Sequence, residues 1–181
     1  MKLIESIKGY LRSRVLRKYS STVPTKITPL SQIRTAVAVI DVEDTSYDRC
    51  KESLLAFFRE HGIKGEIFYF DFREITSQDR LITSITNTVL KKDLNWYGRP
   101  SAESMKYLDD FHPDMFISLI RGTDFPIEYM ARHCTAKFKV GRTQLDGDVY
   151  DLVVSDPQSR NLSQAEVLDG IKQYIRIITG E

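Results

Sequence analysis

The feature that most constrains the fold is the alternation, from residue 35 onward, of short apolar runs with longer amphipathic stretches. The runs are rich in β-branched and aromatic residues, and most are apolar without interruption, as in strands that are covered on both faces. This alternation predicts βα units around a mostly parallel sheet. We therefore expect an α/β fold, a three-layer Rossmann-like sandwich with about five strands. The predicted strands are 35–42, 66–72, 114–120, 136–141 and 150–155.

The amphipathic stretches carry signals for where helices begin and end. Asp44 or Thr45 is expected to cap the helix after the first strand. Ser163 and Glu166 have the spacing of a capping box at the start of the last helix, which is predicted to end at Gly180.

Residues 75–92 give the least decisive pattern, because their threonines and isoleucines fit either a helix or a strand. We expect a short helix or loop over the first part and an edge strand near 86–90.

Length and composition indicate one ordinary globular domain. The chain has 181 residues, 41% of them hydrophobic and 28% charged, and no apolar run is long enough to span a bilayer. Cys50 and Cys134 lie on the apolar faces of predicted helices without metal-ligand spacing, which argues against a disulfide framework or a zinc site. We expect a reducing, cytoplasmic setting and predict no cofactor.

The charges are distributed unevenly along the chain. Residues 1–26 contain seven basic side chains and one acidic one, which leaves 19 basic and 24 acidic side chains for the rest. Residues 1–22 have apolar residues at near-helical spacing and predict a basic amphipathic helix. Residues 23–34 contain two prolines and predict an extended linker. Residues 35–181 then form the Rossmann-like α/β domain.

The basic helix is compatible with several contacts. An anionic membrane surface and the phosphate backbone of a nucleic acid both favour clustered cations, and the membrane also favours the apolar stripe. The alternatives are a protein partner, a second copy of the chain, packing of the stripe on the body of the same molecule, or a cleaved mitochondrial targeting segment.

Ligands of open parallel sheets bind outside the carboxyl ends of the strands, so residues that end or follow the predicted strands are candidates for a site. Carboxylates and arginines at this edge could hold a hydrated divalent cation and a phosphorylated or carboxylated small molecule. The alternative is that these side chains only cap the following helices. The candidates are Asp41, Glu43, Asp71, Arg121, Thr123 and Asp156.

Several known chemistries lack their sequence patterns. The chain has no GxGxxG motif after the first strand, no P-loop and no GxSxG elbow. The third predicted strand ends without the aspartate that a phosphoryl-accepting receiver needs. The three histidines are interpreted as structural or exposed, and His133 has no acidic partner evident in the sequence.

The only tryptophan lies in a loop, NWYGRPS, that forms a second candidate site through Asn95, Trp96 and Arg99. We expect Trp96 to plug the end of the core, with Lys91, Lys92 and Arg99 in water. The functional alternative is a platform on which a base or a sugar ring stacks beside these cations.

The run KKDLNWYGRP, followed in order by PDMFISL, AKFKVG and YDLVV, resembles an uncharacterised bacterial family of short proteins with a basic N-terminal arm. The likeness covers about residues 1–178 and implies an α/β sandwich without a known activity. A fainter likeness over residues 114–141 is to one half of a two-domain sugar transferase of the heptosyltransferase kind. Since 181 residues do not supply the second half, this likeness is an analogy of fold.

Two functions follow as expectations. The first is a non-catalytic α/β binding or interaction module whose basic arm docks to a membrane surface, a nucleic acid or a protein. The alternative is a small enzyme or binding protein for a phosphorylated or nucleotide ligand at the carboxyl ends of the strands. The sequence does not decide whether the chain is an enzyme.

Overall fold

The structure, a computed structural model, describes residues 2–73 and 87–180. Short 3₁₀ turns occur at Leu30–Gln32 and Lys91–Asp93. The other elements, in chain order, are α1 (Lys2–Tyr19), β1 (Thr35–Asp41), α2 (Tyr47–Glu60), β2 (Lys64–Asp71), β3 (Thr88–Leu90), α3 (Ala102–Phe111), β4 (Met115–Ser118), α4 (Phe125–His133), β5 (Phe138–Gly141), β6 (Leu152–Val153) and α5 (Gln164–Thr179).

The strands within the described ranges form one six-stranded sheet in the order β3-β2-β1-β4-β5-β6, and every neighbouring pair is parallel. The predicted parallel sheet is thus confirmed, with one strand more than the five expected. The additional strand is β3 at the edge of the sheet, where an edge strand near 86–90 was predicted. The helix or loop expected before it lies outside the described residues.

The sheet is covered on both faces, which confirms the three-layer arrangement. Because successive side chains of a strand point to opposite faces, β1 contributes to two apolar clusters. Ala38 and Ile40 belong to the cluster that packs under α2 and α5. Val37 and Val39 belong to the cluster under α3 and α4. This double burial is the reason why the strand reads as an unbroken apolar run in the sequence.

The last helix begins and ends as predicted. The Ser163 side chain accepts a hydrogen bond from Glu166 N, the Glu166 carboxylate accepts one from Ser163 N, and the helix is closed by Gly180 at φ 73°. The prediction for α2 is wrong by one or two residues, because Ser46 is the N-cap and forms no side-chain cap. Asp44 instead accepts hydrogen bonds from Ser46 N at 2.9 Å and from Gln164 N, at the start of α5, at 3.2 Å.

The segment between α1 and β1 lies against the body of the molecule. Lys26 N donates to Lys137 O at 2.8 Å. Leu30 and Ile33 are each 1% exposed and belong to the apolar cluster under α2 and α5. These contacts fix where α1 can lie relative to the sheet.

Candidate functional site

The strand order is that of doubly wound sheets, in which ligands bind where the order reverses. This switch point lies between β1 and β4. Asp41 ends β1 and Glu43 follows it, while Arg121 and Thr123 follow β4. The fold therefore brings these four predicted residues to the two sides of the switch point. Asp71 ends β2 at the same edge.

Two of the rim carboxylates, Asp71 and Asp156, are paired with arginines. Asp71 is 3% exposed and accepts hydrogen bonds from Arg73 Nε at 2.8 Å and Nη2 at 2.9 Å. Asp156 accepts from Arg142 Nε at 3.0 Å and Nη2 at 2.9 Å, and Arg121 Nη2 lies 3.4 Å from the same carboxylate. Two-point arginine contacts of this kind are strong and oriented. They hold the loops after β2, β5 and β6 in place.

Arg142 is the buried centre of this arrangement. It is 3% exposed and also donates to Leu162 O and, at 3.5 Å, to Leu119 O. Burial acts to raise the pKa of Asp156, but the hydrogen bonds and charge of Arg142, together with the charge of Arg121, outweigh it and lower the pKa. Asp156 is therefore a structural anion as it stands.

Asp41 is a partly buried carboxyl group at the same rim. Its Oδ1 accepts from Glu43 N at 2.8 Å, and its backbone forms two hydrogen bonds with the fully buried side chain of Gln164. Burial raises the pKa of Asp41, the hydrogen bond from Glu43 N acts against this, and the charges of Asp44 and Asp71 raise it further. A carboxyl group that the fold makes costly to ionise is a feature of many functional sites.

The amino end of α5, which also points to this edge, is already occupied by side chains. Gln164 N donates to Asp44 Oδ2 at 3.2 Å, and Ala165 N donates to Ser46 Oγ at 3.1 Å. Helix amino ends attract anions, and here Asp44 takes that position. A phosphate group would have to displace this carboxylate to reach the helix.

The loop that carries Trp96 differs from the expectation. Trp96 is 59% exposed, so the prediction that it plugs the core is wrong. The loop closes through Asn95, whose Oδ1 accepts from Tyr97 N at 3.2 Å and Arg99 N at 3.0 Å, and through the positive φ of Gly98 at 92°. The loop thus has a defined shape with the indole on its outside.

Arg99 does not remain in water, which corrects a second expectation. Its guanidinium lies 4.3 Å from the ring centre of Tyr19 and 5.3 Å from that of Tyr129. Cation–π contacts of this kind join the loop to the end of α1 and to α4. Lys92, by contrast, is exposed as predicted.

The second half of α1 is anchored to the body. Arg12 Nε donates to Tyr97 O at 2.7 Å, and its guanidinium lies 5.0 Å from the ring centre of Phe125. Val15, Leu16 and Tyr19 pack against the apolar cluster under α3 and α4. The basic helix therefore packs in part on its own body, one of the alternatives that the sequence left open.

The first half of α1 projects from the body. Arg12 lies beside Phe125, the first residue of α4, and Tyr19 lies beside Tyr129, one turn further on. The two helices therefore run in the same direction, and residues 2–10 extend beyond the start of α4 by roughly 14 Å at 1.5 Å per residue. Every residue of this segment except Lys8 is exposed. We call residues 2–10 the projecting segment.

The projecting segment has an apolar face turned away from the body. With about 100° of rotation per residue, Ile7 and Tyr10 lie within about 40° of Leu3 around the helix axis. Arg12 lies about 180° from Leu3 on the same count. Leu3 is 73%, Ile7 43% and Tyr10 65% exposed. Along the anchored half of α1, the same outward side carries three cations, Arg14, Arg17 and Lys18.

His133 has an acidic partner that the sequence did not reveal. Its Nε2 lies 2.7 Å from Asp109 Oδ1, and its Nδ1 lies 3.0 Å from Tyr19 O, the last carbonyl of α1. The residues are 24 positions apart on different helices, so no local pattern could have indicated the pair. The contact ties the end of α1 to α3 and α4.

Within the described ranges no group of three or more histidine, cysteine or acidic side chains is placed to hold a metal ion. No helix in those ranges is long and apolar enough to cross a membrane.

Comparison with curated proteins and with solved structures finds no match. A family model does match, over residues 5–178, which include nearly all of α1 and all six strands. The chain therefore belongs to this family, which is described as a family of unknown function, DUF6913.

Proposed function

We propose that this chain is a non-catalytic α/β binding module that docks on an anionic membrane surface through the outward face of α1. The observation that carries the proposal is the outward face itself, formed by the exposed Leu3, Ile7 and Tyr10 and continued by Arg14 and Arg17. Exposed apolar side chains beside cations are two of the features of helices that lie in the plane of a lipid interface.

Anchorage of the second half of α1 supports the proposal, because an isolated helix of this length is marginal in water. Arg12, Val15 and Leu16 hold that half on the body. The projecting segment therefore extends a helix that already exists, so less conformational entropy is lost when the segment binds.

The charges favour an anionic surface. Within α1 the basic side chains outnumber the acidic ones, and Glu5, the one acid of the helix, is paired with Lys8 at 3.0 Å. The body from residue 27 onward has more acidic than basic side chains. An anionic bilayer therefore attracts α1 and repels the body, which orients the molecule.

The apolar part of the outward face distinguishes a membrane from a nucleic acid. Clustered cations favour both, but a phosphate backbone offers nothing to exposed leucine and isoleucine. Burial of one such side chain contributes about 1.5–3 kcal/mol, and each cation near an anionic surface contributes about 1 kcal/mol. A few apolar side chains together with a few cations therefore suffice for reversible docking.

The test is co-sedimentation with vesicles made of equal parts phosphatidylglycerol and phosphatidylcholine, compared with phosphatidylcholine alone. The chain should bind the anionic vesicles, and more weakly as salt is added, because salt screens the charges. Leu3→Ser and Ile7→Ser should each weaken binding about tenfold, since each removes most of the burial energy of one side chain. Ile177→Ser, at a site 66% exposed on α5, is the matched control and should bind like the wild type.

The charge contribution is tested in the same assay. Arg14→Gln combined with Arg17→Gln should weaken binding, whereas Arg59→Gln combined with Lys106→Gln removes two exposed cations elsewhere and should not. Equal binding to both kinds of vesicle would contradict the electrostatic argument. Absence of vesicle binding, with binding of a DNA duplex or with self-association instead, would overturn the proposal.

A second candidate function is binding of a phosphorylated or nucleotide ligand at the carboxyl edge. It is favoured by one observation, the raised pKa of Asp41 at the switch point between β1 and β4. Thermal unfolding with Mg²⁺, nucleotides and sugar phosphates tests it. A ligand-dependent stabilisation should be lost in Asp41→Asn and kept in Asp148→Asn, a change at an exposed site. No stabilisation by any of these ligands would count against the candidate.

A further inference from the structure

His133 holds the end of α1 through a ring that has an acceptor at each of its two nitrogens. Nδ1 lies 3.0 Å from Tyr19 O, the last carbonyl of α1, and Nε2 lies 2.7 Å from Asp109 Oδ1 on α3. A backbone carbonyl and an ionised carboxylate accept hydrogen bonds but cannot donate them. The ring must therefore donate at both positions if both contacts are to be hydrogen bonds.

Only the charged ring can do so. Neutral imidazole carries one N–H, whereas the protonated ring carries two. Loss of the proton at Nε2 leaves two acceptors facing each other at Asp109, and loss at Nδ1 does the same at Tyr19 O. The attachment of α1 to α3 and α4 at this point is therefore complete only when His133 is positively charged.

Titratable groups from every neighbouring element surround the ring or the residues that it contacts. They are Tyr129 and Cys134 from α4, Arg99 from the loop that carries Trp96, Lys18 from α1, and His112 from the end of α3. Between about pH 5 and pH 8 a histidine changes its charge, whereas lysine, arginine and tyrosine ordinarily do not. Burial raises the pKa of Cys134 to about 11, so this thiol also stays protonated. The histidines are thus the members of this set whose charge changes in that range.

We propose that His133 is a pH-sensitive switch, which holds the end of α1 against α3 and α4 while its ring is charged and loosens it as the pH rises through the histidine range. The unfolded chain has neither contact, so the folded state gains most from them at low pH and loses that gain as the pH rises. The side chain is 21% exposed and lines a cleft of about 400 Å³, through which solvent reaches the ring. The switch is independent of membrane docking, because it concerns the attachment of α1 to the body.

One backbone amide reports on this attachment directly. Ser21 N donates to Arg132 O at 2.8 Å, so its hydrogen exchange requires the chain at the end of α1 to leave α4. After correction for the intrinsic rate at each pH, this exchange should be about two- to fivefold faster at pH 8 than at pH 5.5, as expected of a partly exposed charged contact. In ¹⁵N NMR spectra both ring nitrogens of His133 should be protonated at pH 5.5.

Asp109→Asn is the sharpest test of the donor count. The asparagine amide can donate to Nε2, so a neutral ring with its one N–H at Nδ1 forms both contacts. The corrected exchange of Ser21 in this variant should therefore be slower than in the wild type at pH 8 and should no longer rise with pH. Asp110→Asn, at the next and exposed position of α3, is the matched control and should keep the wild-type pH dependence.

Substitution of each histidine separates the two rings of the cleft. His133→Gln removes the proposed titrating group, so the corrected exchange of Ser21 should be the same at both pH values, whatever its rate. His112→Asn removes the other ring, and asparagine suits the left-handed backbone of this position, where φ is 47°. This second variant should behave like the wild type.

The outcomes decide the proposal without vesicles. Equal corrected exchange of Ser21 at pH 5.5 and pH 8 in the wild type overturns the switch. A pH dependence that persists in His133→Gln, or that disappears in His112→Asn, overturns it as well. If Asp109→Asn exchanges no more slowly than the wild type at pH 8, the contact is an ordinary structural ion pair and the proposal fails. The docking of α1 on a membrane would stand or fall by its own assay in each case.

Discussion

Replacing Arg142 with methionine should destabilise the fold strongly, because it leaves the carboxylate of Asp156 without its main partner. The guanidinium donates two hydrogen bonds to that carboxylate and reaches Leu119 O and Leu162 O. Methionine keeps much of the apolar volume but none of the donors. Arg121, 3.4 Å from Asp156, remains as a partial replacement.

The size of the effect follows from burial. Removing one member of a buried ion pair costs about 3–5 kcal/mol, and the contact from Arg121 places the expectation near the lower end, about 3 kcal/mol. For a chain of this length that corresponds to a fall in Tm of roughly 6–12 °C. Arg121→Met is the matched control. Its side chain is 51% exposed, so its loss should cost at most about 1 kcal/mol.

Urea unfolding of Arg142→Met, Asp156→Asn and the double variant measures the pair as a cycle. The coupling free energy should exceed about 1.5 kcal/mol, since the residues are in direct contact. The pKa of Asp156 is lowered in the folded state, so the unfolded chain takes up this proton first as the pH falls. The stabilisation from the ion pair is then present at neutral pH and lost below about pH 4, so the difference between wild type and Arg142→Met should become smaller there. The part that remains comes from the bonds to Leu119 O and Leu162 O, which do not depend on pH.

Two results would refute this reasoning. If Arg142→Met costs no more than Arg121→Met, the buried contacts do not stabilise the rim. If the difference from the wild type is unchanged between neutral and acid pH, the charge of Asp156 is not the cause. After either result, Asp156 would again be a candidate for contact with a ligand.

Three further predictions concern the core and the rim. Asp41→Asn should raise the free energy of unfolding at pH 7 and have little effect at pH 3, because the raised pKa makes ionisation of Asp41 destabilising as the pH rises; an unchanged urea midpoint at pH 7 would contradict this. Gly65→Ala should cost about 1–3 kcal/mol in urea unfolding, because a Cβ there would lie 1.9 Å from the Phe58 ring, and a neutral result would mean that the ring moves freely. Burial raises the pKa of Cys50 to about 12 and that of Cys134 to about 11, so neither thiol should react with a disulfide reagent at pH 8 until denaturant is added; a fast reaction of the folded protein would show an accessible thiol.

The sequence predicted the elements whose cause is local. The parallel sheet follows from apolar runs such as 35–42, and the start of α5 follows from Ser163 and Glu166, which bond to each other within one turn. The cap of α2 was misjudged, because Asp44 has a distant partner, the amino end of α5. A local pattern cannot register a competitor that lies 120 residues away.

The candidate site was predictable only as a set of positions. Because the strands were predicted to be parallel, the residues that end or follow them mark the carboxyl edge of the sheet. Asp41 and Arg121 lie at that edge. Which of the charges are neutralised depended on Arg142 and Asp156 meeting across two loops. The exposure of Trp96 was missed because the sequence alone does not distinguish which of the two neighbouring aromatic residues, Trp96 or Tyr97, packs on the core. In the structure Tyr97 packs there and Trp96 is exposed.

By itself the sequence determined the layers, their direction and the concentration of positive charge in α1, because periodicity and composition are properties of consecutive residues. Only the tertiary structure decided which half of α1 is anchored and which half projects, which carboxylates have partners, and that His133 meets Asp109. The physical reason is that hydrogen bonds and ion pairs act over about 3 Å. Their partners are therefore chosen by how the helices and strands pack, and the linear pattern does not contain that information.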